Sequence, residues 1–289
     1  MSEPDGAPGP ERSSALPAVR AEPPKRVRVQ HLRAAKENGE KLTMLTAYDL
    51  PTARIFDAAG IDMLLVGDSY GDNMLGHSGT IPVTVDELIP AVRAVARGAK
   101  RAMVVADLPF GSYEASPQQA MASATRMLKA GGAHAVKFEG GRRVADHVRL
   151  LTDSGVPVVG HLGFTPQSEN ILGGKRVQGR GDESAEQVVA DAKAIEAAGA
   201  VAVVLEMVPA AVAERVSGEL SIPTIGIGAG AACDGQVLVW LDMVGMGGWS
   251  PRFAKQFAAV GAEMDRATRA YIDEVRAGTF PGREHTYWD

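Results

Sequence analysis

The 289-residue chain carries a single cysteine, Cys233. A lone thiol excludes an intrachain disulfide framework and a cysteine-based zinc cluster, and it suits a reducing compartment. Basic charge is also scarce, with 30 Lys and Arg against 35 Asp and Glu and a formal net charge of -5. No basic field remains to hold a polyphosphate backbone, which argues against nucleic acid and for a small-molecule partner. Nowhere does the chain reach the about 18 uncharged apolar residues that mark a membrane helix. Residues 1–26, MSEPDGAPGPERSSALPAVRAEPPKR, have none of the continuous apolar character of a secretory signal. Rich in Pro, Ala and charge, they read as a disordered tail, and the cytoplasm is the default location.

What the chain does contain is alternation. Short runs rich in β-branched and apolar residues recur, each followed by a longer stretch of helical periodicity, the pattern of parallel strands joined by helices. The runs are KLTMLTAYD, MLLVGDS, AMVVADLP, AVKFE, VPVVGHLG, VAVVLEMV, IPTIGIGAG and VLVWLDMVG. Helices are expected over 51–59, 85–97, 117–130, 142–152, 185–198 and 210–218, with a longer one over 253–277 that could pack beyond the rest. Gly60, Gly98, Gly131, Gly155, Gly199 and Gly218 stand near their ends as stop signals. Eight strand–helix repeats and the absence of an internal linker point to one (β/α)8 barrel domain over 27–289, a fold that takes about 250 residues. A doubly wound open sheet would produce similar local patterns.

In such a barrel the chemistry lies at the carboxyl ends of the strands. Asp68 and Ser69 end the second run, Asp107 the third, Lys137 and Glu139 the fourth, His161 the fifth and Glu206 the sixth. A single Asp after a strand is most often a helix cap or turn former. Three carboxylates in consecutive repeats are different, because Asp68, Asp107 and Glu139 would converge and repel unless a cation sat among them. Oxygen donors without a Cys or His cluster favour a hard divalent ion such as Mg2+. Lys137 shares the inward face of Glu139, where an unpaired ammonium is costly; it either pairs with a neighbouring carboxylate or meets a substrate carboxylate. His161 fits a hydrogen-bonded core histidine as well as a catalytic one. Glu206, after four apolar residues, suits proton transfer, with a buried pairing to Lys137 as the alternative.

Two glycine-rich segments remain. GIGAG at 226–230 follows the seventh run but matches no dinucleotide or P-loop fingerprint, so it reads as close backbone approach. The polar segment 173–184, with Lys175, Arg176 and Arg180, is either a solvated loop or a flap over an anionic substrate.

Taken in order, TAYD at 46–49, VGDS at 66–69, ADLPF at 106–110, KFEGG at 137–141, GHLGFTPQS at 160–168, GIGAG and CDGQ at 233–236 closely resemble the ketopantoate hydroxymethyltransferase family, from about Val27 to the C-terminal GREHTYW. The resemblance implies a (β/α)8 TIM barrel of the phosphoenolpyruvate/pyruvate type assembled as a homodecamer. It implies one Mg2+ per subunit chelating 3-methyl-2-oxobutanoate, and 5,10-methylenetetrahydrofolate as one-carbon donor in pantothenate synthesis. By position, the metal ligands fall on Asp68, Asp107 and Glu139, the substrate contacts on Asp68, Ser69, Asp107 and Lys137, and the proton acceptor on Glu206. The implied reaction passes through a Mg2+-stabilised enolate. Departures such as Tyr70, where the family commonly has Leu, and the long N-terminal segment touch none of these positions. A Mg2+-dependent 2-oxo acid lyase or mutase of the related barrel group would use the same carboxylates but need no one-carbon donor. A non-catalytic 2-oxo acid binding protein would show no exchange of the C3 hydrogen with solvent.

Overall fold

The computed structural model describes residues 25–288; residues 1–24 of the expected disordered tail lie outside them. Arg26 belongs to the ordered body instead, its guanidinium lying against the His134 ring.

Eight parallel strands close into a barrel in sequence order, with β1 paired to β8. They are β1 Leu42–Thr46, β2 Met63–Val66, β3 Met103–Asp107, β4 Ala135–Glu139, β5 Val158–Gly163, β6 Ala202–Glu206, β7 Thr224–Ile227 and β8 Gly235–Leu238. Strands β2 to β4 are buried at every position. Such burial is what helices outside and side chains inside a parallel barrel impose, and it explains their uninterrupted apolar character. Leu65, Val105, Ala135, Val159 and Val204 point inward and pack with one another, while Leu64, Val104, Val136 and Leu205 meet the helical layer. Alternation then dictates that Asp107, Lys137, Glu139, His161 and Glu206, each an even number of residues further along, also face inward.

The helices are α1 Val29–Glu37, α2 Leu50–Ala59, α3 Val85–Gly98, α4 Pro117–Arg126, α5 Ala145–Asp153, α6 Glu169–Leu172, α7 Asp182–Ala197, α8 Ala210–Glu219, α9 Trp240–Met243 and α10 Val260–Ala277. Their starts are chemically specified. Asp49 accepts from the Thr52 amide with Pro51 in the first turn of α2, Thr84 and Glu87 form a capping box on α3, and Ser116 caps α4. The unforeseen α1 buries Leu32 and Ala35 beside the barrel-interior residues Leu42 and Met63 and so closes the amino end.

Of the boundaries that differ from the sequence reading, three shape the mouth of the barrel. The run expected as a strand over 237–245 is strand only through Leu238, because the Trp240 amide turns to donate to Thr46 Oγ1 and the chain coils into α9. The long C-terminal helix begins at Val260 rather than Phe253. Before it, the Phe257 and Val260 amides bond to the carbonyls of Met243 and Val244, docking the segment on the end of α9. Helix α7 starts at Asp182, so the polar loop after β5 ends at Gly181. No described helix is long and apolar enough to cross a membrane.

Candidate active site

A cavity of about 810 Å3 opens at the carboxyl ends of the strands. Its floor holds Asp68, Asp107, Lys137, Glu139 and His161, all at most 5% exposed. Glu206 stands on the wall with its side chain 17% exposed, wetter than its apolar run suggests. Ser69 lines the same space, its hydroxyl 2.8 Å from the Tyr48 hydroxyl. The seven positions singled out in the sequence therefore share one cavity.

Inside it, Lys137 Nζ lies 2.9 Å from Asp107 Oδ1. The partner expected as Glu139, Glu206 or a neighbouring Asp is thus the aspartate across the strand pair, as the Asp107–Lys137 register requires. Asp107 Oδ2 accepts from the Asp68 amide at 3.0 Å. Burial, then the charge of Asp107, pushes Asp68 up to about 7. Glu139 is raised well above the usual carboxylate range by burial and then by Asp68. Burial alone would lower Lys137, but Asp107, Asp68 and Glu139 together raise it. Burial, followed by the Lys137 charge, lowers His161, which favours the neutral ring.

The orientation of that ring follows from its neighbours. Nδ1 is 3.3 Å from the Lys137 ammonium, which can only donate, so Nδ1 accepts and Nε2 carries the proton. Nε2 lies 3.2 Å from Glu206 Oε2. His161 thereby links the acidic floor to the glutamate on the wall. The Glu206 backbone is clamped as well: its carbonyl accepts from the Phe164 amide at 2.8 Å. A Cβ on Gly163, at φ +92°, would sit 2.2 Å from that carbonyl oxygen. Met207 next to it adopts φ 47°, a left-handed conformation that is strained for a side-chain-bearing residue.

Two residues with no signal in the strand-end pattern complete the floor. Gln167, from the turn after β5, and Tyr113, from the loop after β3, are buried against Asp68 and Glu139. A period-two reading cannot find them, because both sit in irregular segments. Above the floor, Lys175 reaches the cavity, whereas Arg176 and Arg180 do not line it. Trp249 and Phe253, from the segment after α9, form an aromatic rim, and Asp72 projects from a π turn over 71–75. GIGAG does serve close approach: a Cβ on Gly226 would be 3.0 Å from Cys233 Sγ.

The donor set has the chemistry of a site for a divalent ion. Three inward carboxylates face one ammonium, all donors are hard oxygens, and two of the acids are driven toward protonation by burial and then by a neighbouring carboxylate. Those features fit a hard cation. Among the described residues, however, no three acidic, His or Cys side chains converge tightly enough to enclose an ion by themselves. In this arrangement Lys137 and Gln167 bridge the carboxylates instead, so an ion there would take part of its coordination from substrate and water oxygens.

Fold and floor together define a (β/α)8 barrel with a buried acidic site at its carboxyl face. Phosphonopyruvate hydrolase, solved as its complex with oxalate and Mg2+, shares the fold with a TM-score of 0.57 at 14% identity, covering 89% of this chain and 92% of its own. 2,3-Dimethylmalate lyase, a member of the PEP mutase/isocitrate lyase superfamily, does so with a TM-score of 0.54 at 18% identity, covering 89% and 91%. The chain belongs to the ketopantoate hydroxymethyltransferase family, whose profile matches residues 26–283. The 3-methyl-2-oxobutanoate hydroxymethyltransferase of Saccharopolyspora erythraea is 61% identical over 264 residues, 91% of this chain and 90% of that protein. The enzyme of the same name from Leifsonia xyli is 62% identical over 265 residues, 91% and 95%. That from Mycobacterium tuberculosis is 59% identical over 266 residues, 92% and 94%. The activity is accordingly that of a 3-methyl-2-oxobutanoate hydroxymethyltransferase, and the lyase or mutase alternative retains only the fold.

Proposed function

We propose that the cavity binds 3-methyl-2-oxobutanoate on a Mg2+ held with Asp68, Asp107 and Glu139, and that 5,10-methylenetetrahydrofolate is the one-carbon donor. The observation that carries this reading is the excess of buried carboxylate over the one ammonium of Lys137, with Glu206 and His161 paired beside it. When bound, the ion would supply Lewis-acid polarisation of the keto group and so acidify the C3 hydrogen.

The protein side chains supply the rest. Lys137, already charged in the buried floor, offers its ammonium to the substrate carboxylate, and the Ser69 hydroxyl, steadied by Tyr48, donates a further hydrogen bond. Glu206 takes the C3 proton, and neutral His161 orients its carboxylate through Nε2. Carbon C3 then bonds to the methylene carbon of the folate as the bond from that carbon to one folate nitrogen breaks, and water displaces the other nitrogen to leave the hydroxymethyl group. The proton taken by Glu206 and the one released by water pass to the two nitrogens of the departing tetrahydrofolate. The aromatic rim of Trp249 and Phe253 gives a flat apolar group a surface to stack on, and Lys175 offers a charge to an anionic tail.

The same reading extends to residues 27–289 acting as one catalytic domain, to a cytoplasmic location and to a homodecamer. For the last, the support is α10, which buries none of its own residues and exposes Met264, Tyr271, Ile272 and Val275. The test of the reaction is to incubate the purified protein with Mg2+, 3-methyl-2-oxobutanoate and methylenetetrahydrofolate and to follow ketopantoate by mass spectrometry. Product that requires both the ion and the donor supports the reading; none in the complete mixture overturns it.

A further inference from the structure

Gln167 is 6% exposed, and none of the steps above uses it. Its side-chain amide is fully engaged. Nε2 donates to Asp68 Oδ2 at 2.7 Å and to the Leu108 carbonyl at 3.0 Å, while Oε1 accepts from the Tyr113 hydroxyl at 2.7 Å. Its backbone N–H donates to Glu139 Oε2 at 3.1 Å. One residue after β5 thus ties together groups from the ends of β2, β3 and β4.

The direction of the amide is decided by its partners. The Leu108 carbonyl can only accept, so the nitrogen must face it and Asp68, and the oxygen must face Tyr113. The Tyr113 hydroxyl lies 3.3 Å from the Glu139 amide, which can only donate, leaving the hydroxyl proton for Gln167. The bonds run in one sense, from the Glu139 N–H through Tyr113 and Gln167 to Asp68. One oxygen of Asp68 is thereby engaged, and the other is the one available to an ion.

We propose that Gln167 is a positioning residue for the divalent ion: it fixes the rotamer of Asp68 and, through its backbone, that of Glu139, and Tyr113 holds it in register. The inference rests on the metal-holding role proposed above for those two acids. Groups that hydrogen-bond a metal ligand typically change affinity by about 10- to 100-fold when removed.

The test uses the full-length protein and Gln167→Met, which keeps the length of the side chain and removes both ends of the amide. Calorimetric titration with Mg2+ is expected to give a Kd about 10- to 100-fold weaker than wild type. Turnover lost at low Mg2+ should return at saturating Mg2+, a rescue that a merely structural defect would not show. Tyr113→Phe should weaken Mg2+ binding in the same direction by about threefold or more, and it carries the test should Gln167→Met fail to fold. A Mg2+ Kd within about twofold of wild type in the folded variant, or a loss of turnover that saturating Mg2+ does not restore, overturns the proposal. Wild-type protein that binds no Mg2+ even with 3-methyl-2-oxobutanoate present would overturn the metal reading itself, an outcome distinct from a variant that binds like wild type.

Discussion

Glu206 and its histidine separate two roles that one cavity combines. Glu206→Gln fills the same space and keeps an oxygen for His161 Nε2, 3.2 Å from the present carboxylate. It should bind Mg2+ and 3-methyl-2-oxobutanoate as before yet lose the exchange of the C3 hydrogen with D2O that wild type shows without folate. Proton NMR of the 2-oxo acid reads this directly, and exchange at the wild-type rate would assign Glu206 to a step after enolisation. The two aspartates should differ in stability. Asp107→Ala strips Lys137 of the partner at 2.9 Å, and breaking such a buried pair costs about 3–5 kcal/mol, partly offset by relief of repulsion on Asp68. Asp68→Ala orphans no cation, so its urea midpoint should stay near that of wild type although turnover is lost. Equal destabilisation of the two variants would contradict the pairing.

At the scale of elements, the loop after β5 does two jobs with different residues. Lys175 reaches the cavity while Arg176 and Arg180 stay on the outer surface, and the Gln178 amide holds the loop to the Met207 carbonyl at 3.0 Å. Exposed charges contribute only about 0.2–1 kcal/mol each. Lys175→Ala should therefore raise the folate KM a few-fold with kcat nearly unchanged, whereas Arg176→Ala and Arg180→Ala should leave both alone; steady-state kinetics decides. At the other end of the barrel, His134 Nδ1 accepts from the Val104 amide of β3 at 2.9 Å and faces Arg26. Burial, then the charges of Arg26 and Arg28, lowers it to about 4. Its native ring stays neutral while the unfolded chain takes up a proton below about pH 6.5. Its contribution to stability is therefore whole above pH 6.5 and lost as pH falls toward 4. His134→Asn should lose about 1 kcal/mol less stability than wild type between pH 7 and pH 5, allowing for solvent screening of the half-buried ring. Urea denaturation of the two proteins at both pH values checks the sign.

For the whole molecule, α10 is the feature a single chain leaves unexplained. Its 18 residues carry an apolar face with Ile272 and Val275 36% and 45% exposed, and none of the described residues covers it. Exposed apolar faces of this kind mark interaction surfaces. Ile272→Glu with Val275→Glu should shift the wild-type assembly, expected at ten subunits, to smaller species in light scattering coupled to size-exclusion chromatography. An unchanged mass would place the subunit contact elsewhere.

Much of this architecture is local in origin. The βα alternation, the glycine stops and the caps at Asp49, Thr84 and Ser116 depend on neighbours within a few residues, and so the eight strands and most helices could be read in order. Asp107, Glu139 and Glu206 could be read too, because alternation in a parallel barrel fixes which residue points inward once the strand is known. Asp68, by contrast, reaches the cavity from beyond the end of β2. What the sequence by itself left open are matters of long range. Lys137 chooses Asp107 over Glu139 through the register between β3 and β4, and His161 meets Glu206 only because β5 and β6 lie side by side. Gln167 and Tyr113 reach the floor from irregular loops that carry no period, so their bond across 54 residues exists only in the folded barrel. The end of β8 is settled the same way: an apolar run that would suit a strand becomes α9, because Thr46, 194 residues away, supplies the hydrogen bond that turns it.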